Sequence, residues 1–337
     1  MSATIGYFDE TILNDIRVTA ASLMLDDRIK QQFIPDYDVV KAVQAVQTAK
    51  LDPLFSKSKK DRDVELIWEN TCGVAVEDNT TCVIGGTKSS TNIETKTLSY
   101  EKVVNISVDE ADFVDNEFGV EGAIAKLLLK ADVEHANAFA QYVVAELNLY
   151  RGQNEYTTGK GTVVGLNTTI PAHYWDATLN AYFNMVSIRN KFTSPVLVSG
   201  ENLYDANWVA AANAANADGK GDAVMYGSFK TYFDLFNIDT VNDPTLSTYM
   251  LSMNSLALAH KTFNPDAKQV VNNVFTRWTE ASRFLPFKYD IFYDAECTTN
   301  DLIQHNFKIK LTADIFRNPI GCTELNHGIL RFDCSAT

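Results

Sequence analysis

Apolar residues first recur at helical spacing between residues 5 and 50. Ile12, Ile16 and Leu23 form one set and Val39, Val43 and Val46 another, with Pro35 between them, so the pattern predicts two amphipathic helices. Neither carries enough apolar surface for a core of its own, and the segment reads as an arm that packs on something else. Val64-Glu65-Leu66-Ile67-Trp68 then predicts a strand. The stretch from Glu77 to Thr95 is polar and holds the turn signal Gly85-Gly86, and a returning limb runs from Thr95 to Ser107. Two strands with so long a polar tip form an extended hairpin that is marginal in water by itself. Ser107 to Glu110 matches a capping box, predicting a short helix to about Asp115. From Gly119 to Arg151 the helical period is unbroken, with Gly152 as its stop. That helix is about 48 Å long at 1.5 Å per residue. Leu127, Leu128, Phe139 and Val143 are the side chains expected to face a sheet.

Beyond Gly165 the pattern alternates. A helix is predicted over 176–192, a buried strand over Pro195–Gly200 and an Ala-rich helix over Glu201–Ala217. Strand segments follow at Ala223–Tyr226 and Thr231–Leu235, then a helix over 247–260. Residues 165–300 therefore read as a compact α/β unit. Strand alternation returns at Lys288–Tyr293, His305–Thr312 and Gly328–Phe332.

Composition narrows the function classes. Of 337 residues, 46% are apolar and 21% charged, which is ordinary globular usage and excludes a disordered chain. There are 43 acidic and 29 basic residues, a formal charge of −14, opposite in sign to a protein built to grip phosphates. The opening ten residues lack a basic segment and an apolar core, so no signal peptide is expected. No stretch is apolar enough to predict a membrane span. The five cysteines (Cys72, Cys82, Cys297, Cys322, Cys334) are odd in number and include no C-x-x-C pair, and reduced thiols in a cytosolic chain are the expectation.

Candidate chemistry is sparse. His135, His173, His260, His305 and His327 include no pair at i+3 or i+4, so no helix presents a two-histidine metal face. Gly159-Lys160-Gly161-Thr162-Val163-Val164-Gly165 misses the dinucleotide spacing and follows a helix end instead of a strand. Gly85-Gly86-Thr87-Lys88-Ser89 lacks Walker order. Asp109, Glu110, Asp112, Asp115 and Glu117 read as a solvated acidic face before a helix N-terminus, not as a metal site. The sequons at Asn79, Asn105 and Asn167 carry no weight without secretion. Lys57, Lys59, Lys60 and Arg62 read as a solvated loop or a contact to an acidic neighbour. No catalytic, cofactor-binding or metal residue is assigned, and no enzyme activity is expected.

The order of parts resembles the major capsid proteins of tailed bacteriophages, the Hong Kong 97-type fold. Thr95-Lys96-Thr97-Leu98-Ser99-Tyr100-Glu101-Lys102-Val103-Val104-Asn105-Ile106-Ser107-Val108-Asp109-Glu110 is similar to that family's return limb running into an acidic turn before the spine helix. Pro195–Ala217 is similar to its axial strand and helix, and Asn306–Pro319 to its late peripheral strand. The resemblance implies an α+β fold. Its parts are a helical arm (1–53), an extended loop (54–106), a peripheral domain with the spine helix (107–164), an axial domain (165–300) and closing peripheral strands (301–337). It implies self-assembly through hexamers and pentamers into an icosahedral shell. Scaffolding, portal and decoration proteins are the implied partners, contact with packaged DNA is non-specific, and no membrane is involved. The chain would be made in the host bacterial cytoplasm and end in the virion. Lys88 is the one lysine near the loop tip that a cross-linking relative would use, and no matching asparagine or acid is placed. The rival readings are an encapsulin-like compartment shell and a soluble α/β enzyme.

Overall fold

The structure is a computed structural model, and it describes residues 10–25, 33–48, 50–52, 63–70, 90–113, 119–176, 178–204, 224–262, 269–271, 275–297, 302–319 and 326–335. The helices are α1 (Glu10–Leu23), α2 (Asp38–Val46), α3 (Gly119–Tyr150), α4 (Leu179–Arg189) and α5 (Leu235–Asn242). The early strands are β1 (Lys50–Asp52), β2 (Asp63–Asn70), β3 (Ser90–Thr97), β4 (Tyr100–Asp109), β5 (Thr162–Val164), β6 (Asn167–Pro171), β7 (Val196–Ser199), β8 (Val224–Tyr226) and β9 (Phe229–Phe233). The later ones are β10 (Ser247–Leu251), β11 (Leu256–His260), β12 (Gln269–Val271), β13 (Phe275–Ala281), β14 (Lys288–Cys297), β15 (Ile303–Arg317) and β16 (Ile329–Ser335). The chain mixes helix and sheet in two compact units. One holds Met1–Pro35, Leu98–Phe139 and His260–Asp314, and the other Asp36–Thr97, Ala140–Ala259 and Ile315–Thr337.

In the first unit, β4, β15, β14, β13 and β12 pair in that order, all antiparallel. Alternate residues of these strands point inward, and α3 covers that face. Phe139 meets Tyr100 and Phe287 edge-on, each at 5.1 Å. His135 stacks on Tyr289 at 5.1 Å, and its Nε2 lies 3.1 Å from the Ile309 carbonyl. It is a packing histidine, and burial holds its pKa below the usual imidazole range. Asp132 is also buried in this layer, accepting from the Ser282 hydroxyl (2.6 Å), the Arg283 amide (2.9 Å) and the Tyr289 hydroxyl (2.5 Å). Burial raises its pKa, and these three donors oppose the rise.

The buried positions of α3 run Ile124, Leu129, Ala136, Phe139, Val143 and Leu147, while Leu127 and Leu128 are only half-buried. The expected facing pair is thus corrected: Leu129 is the contact residue, because the helical phase places the stripe one position later. The acidic turn also differs from its sequence reading. Ser107 lies in β4, donating to Asn306, and Asp109 accepts from the Ala111 amide at 2.9 Å to open a 3-10 turn over Glu110–Phe113.

The arm helix α1 buries Ile16 and Ala20. Arg17 forks onto Glu280 of β13 (Nε–Oε1 3.1 Å, Nη2–Oε2 2.7 Å), and Arg283 donates to the Ala20 carbonyl at 2.8 Å. The arm thus packs on its own chain.

The second unit is built on a mixed seven-stranded sheet in the order β5-β6-β16-β10-β7-β9-β8. Its core gathers Ile170, Phe183, Leu197, Met250, Leu330 and Phe332. α2 buries Val39, Val40, Val43 and Val46 in this unit. Asp234 accepts from the Val39 amide at 3.1 Å and from the Asn237 amide at 3.1 Å, so one carboxylate caps two helices.

Three sequence readings change here. Residues 247–260 form β10 and β11 instead of a helix. Ser247 to Leu251 are all buried, and a strand buried on both faces shows an apolar run that spacing cannot tell from a helix segment. Leu235 starts α5 and does not end a strand. β16 pairs with β10 and β6, so the closing strands divide between two sheets, β15 in one and β16 in the other. The Ala-rich segment beyond residue 204 lies outside the described residues.

Candidate assembly surfaces

In the first unit, α3 covers the sheet face that bears Tyr100, Tyr289 and Ile309. Strand alternation puts the next residues on the opposite face. Register aligns Asn105, Lys308, Phe292 and Arg277 in one row across β4, β15, β14 and β13. The Lys308 ammonium lies 5.9 Å from the Phe292 ring centroid. A cavity of about 570 Å³ opens here, lined by Asn105, Ser107, Phe292, Asp294, Asn306 and Lys308 among others. Lys310 pairs with Glu101 at 2.7 Å on the same face. An aromatic floor rimmed by one cation, Lys308, one carboxylate, Asp294, and the amides Asn105 and Asn306 suits a polypeptide contact with both apolar and polar groups. The sequence shows Lys308 and Lys310 alternating, but their meeting with Phe292 depends on pairing register, which composition does not reveal.

Near the start of β15, paired on both sides, His305 is fully buried. Its Nδ1 lies 2.9 Å from the Tyr293 hydroxyl and its Nε2 3.2 Å from Glu110 Oε1, while Glu110 also accepts from the Ile303 amide at 3.0 Å. Glu110 and Asp109 are thus occupied in fixing the turn before α3. Asp115 and Glu117 lie outside the described residues, and no cluster of metal-ligating side chains occurs among the described ones.

In the second unit, β2 and β3 pair in full register from Asp63–Thr97 to Asn70–Ser90. The limb is less marginal than its composition implies, because Val64, Leu66 and Trp68 alternate into the interior and are buried within the chain. Ile93 on the partner strand is 60% exposed. The expected continuous return limb breaks at Leu98-Ser99: β3 pairs with β2, and β4 crosses to β15. The tip residues 71–89, with Lys88, and the basic cluster Lys57 to Arg62 lie outside the described residues. Helix α4 exposes Met185 and Ile188 opposite its buried Tyr182, Phe183 and Val186. It is apolar on two sides, the pattern of a helix with partners on both. The loop with Gly159 and Gly161 is a packing turn. A Cβ on Gly161 would meet the Tyr182 hydroxyl, and Thr162–Val164 then pair with β6. Cys297 is exposed and Cys334 half-buried, both as free thiols, and Cys72, Cys82 and Cys322 lie outside the described residues. No helix among the described residues is long and apolar enough to cross a membrane.

No protein-family model matches the chain, and no curated protein matches it. Among solved structures it is similar to a chain from Mycobacterium phage Che8, at 12% identity over 85% of this chain and 92% of that one, with a TM-score of 0.44. It is similar to a chain in the asymmetric unit of the bacteriophage PhiM1 mature capsid, at 9% identity over 82% and 83%, TM-score 0.43. A third is in the Cyanophage Pam1 capsid asymmetric unit, at 13% identity over 85% and 87%, TM-score 0.43.

Proposed function

We propose that this chain is a major capsid protein of a tailed bacteriophage, assembling with copies of itself into the shell that encloses the genome. The observation that carries the reading is the first unit's sheet. Helix residues Asp132, His135 and Phe139 pack on one face, while the other presents a cavity floored by Phe292 and rimmed by Lys308. A plate of that kind joins its neighbours through unlike surfaces, and such contacts close into rings and shells. The exposed Met185 and Ile188 of α4 give the second unit an apolar contact of its own.

In this reading the fold is of the Hong Kong 97 type. Residues 1–53 are the arm, 54–106 the extended loop that clasps a neighbour, 107–164 and 301–337 the peripheral domain, and 165–300 the axial domain. Hexamers and pentamers are the building units. A separate scaffolding protein, a portal and decoration proteins are the further partners. The chain has no catalytic role, is made in the host cytoplasm and resides in the virion. A formal charge of −14 keeps packaged DNA from adhering.

Sedimentation velocity tests this reading. Protein expressed alone, or with the gene products encoded beside it, should run as capsomer-sized rings or larger particles. A monomer or dimer in every condition would overturn it.

A further inference from the structure

A second polar cluster lies in the second unit, on residues other than those of the surfaces described above. Register places Tyr249, Arg331 and Asn167 in one row across β10, β16 and β6. Asn148 and Arg151 approach from the end of α3, and Asn242 from α5. The Arg331 Nε donates to Asp333 Oδ1 at 2.6 Å, and its Nη1 donates to Asn148 Oδ1 at 2.6 Å and Asn242 Oδ1 at 3.1 Å. Asn167 accepts from the Arg151 Nε at 2.6 Å and donates to Asp333 Oδ2 at 2.7 Å. Ser247 also donates to Asp333 Oδ1, at 2.8 Å.

The donors and acceptors do not balance. Asn148 Oδ1 already accepts from the Tyr249 hydroxyl at 2.7 Å, and Asn242 Oδ1 from the Asn148 amide at 2.8 Å. Every side-chain amide and carboxylate oxygen in the network has a donor. A guanidinium carries five N–H groups. One terminal nitrogen of Arg331 and both of Arg151 have no acceptor among the described residues. Charge is unbalanced in the same direction, with two arginines against one aspartate. Burial pushes the Tyr249 phenol up to about 12, and Arg331 and Arg151 both pull it back, so both guanidinium charges reach the same hydroxyl. Arg331 and Asp333 are recessed, with side chains 11% and 10% exposed.

We propose that Arg151 and Arg331 form a binding site for a phosphate group. A planar guanidinium edge matches the oxygen spacing of a tetrahedral oxyanion, and a recessed Arg331 with a half-buried Arg151, surplus in donors and in positive charge, supplies both of its needs. The recession favours a free phosphate ion over the backbone of a nucleic acid. The site is independent of the shell reading and stands or falls without it. A purely structural role, in which Arg151 complements the dipole at the end of α3 and Arg331 ties Asp333 to Asn148 and Asn242, leaves the free N–H groups of both guanidiniums unused.

Thermal melting of the full chain in potassium phosphate, against potassium chloride at matched ionic strength, tests the site. The wild type should gain about 3 °C, saturating in the millimolar range. Arg151→Gln loses one hydrogen bond and half of the pair, and should lose the saturable gain. Any remaining rise is the general salting effect of phosphate and does not saturate. Arg151→Lys keeps the charge without the fork and should give a reduced gain, which also serves if the glutamine variant is unstable. A short single-stranded oligonucleotide distinguishes the source. No shift from it marks a free-ion site, and a shift lost in Arg151→Gln marks a backbone-phosphate site. An equal response to phosphate in wild type and both variants, or no saturable response in the wild type, overturns the proposal.

Discussion

At the scale of single residues, α3 supplies the sharpest contrast. Leu129 is buried and its neighbour Leu128 half-buried, one helical position apart. Leu129→Asp places an unpaired carboxylate against the sheet and should cost about 4 kcal/mol, read by chemical denaturation as a fall in the midpoint. Leu128→Asp should cost no more than about 1 kcal/mol. Equal losses in the two variants would mean that the helix phase is misassigned. Two titratable groups, Asp234 buried and His260 half-buried, act in opposite directions with pH. Burial, with help from Lys288, pushes His260 down to about 4, against an ordinary value of 6.5. Its contribution to stability is complete above pH 6.5 and is lost as pH falls through 4. Burial raises Asp234 to about 6 from an ordinary 3.8. Its contribution is present below pH 3.8 and is lost as pH rises through 6. Each is worth about 3 kcal/mol by linkage, so in the wild type they largely offset each other between pH 4 and 6.5. His260→Gln should gain stability relative to wild type as pH falls across that window, and Asp234→Asn should lose it. Parallel denaturation curves at pH 4.5 and 7 would show neither trend if the groups are not perturbed.

At the scale of elements, long and strongly periodic segments were legible and short buried ones were not. The sequence pattern gives the long helix as Gly119–Arg151 and the structure has it at Gly119–Tyr150, a match within a residue because the pattern holds over nine turns. β2, β7, β14 and β15 were visible from their alternation or their apolar runs. β10 and β11 read as one helix in sequence because β10 is buried throughout and β11 over its first four residues, which removes the alternation. The candidate surface was illegible for a different reason. Phe292, Lys308 and Arg277 are remote in sequence and become neighbours only through strand register. The hairpin was read as polar and dependent on a neighbour, which misses its base. Trp68 is fully buried in its own chain. Trp68→Ala should lower the stability of the isolated chain by about 3 to 5 kcal/mol. Replacing Asn79 to Asn92 with a short Gly-Ser turn removes only the tip and its first paired residues, and should leave the chain folded while blocking assembly. Circular dichroism reports the first property and sedimentation the second. A shortened variant that assembles normally would remove the hairpin tip from the intersubunit contacts.

At the scale of the whole molecule, the account joins two findings. The chain has a sound apolar core in each of two units, and among the described residues it also exposes Met185 and Ile188 side by side on α4. A monomeric protein would gain nothing from Met185 and Ile188 on the outside of α4. A shell subunit uses both. Electron microscopy of the protein, expressed alone and with its neighbouring gene products, is the most direct test. The account predicts closed shells or capsomer-sized rings, with density from a neighbouring copy over the Phe292 face. Dispersed monomers in every preparation, or shells in which that face is bare, would contradict it.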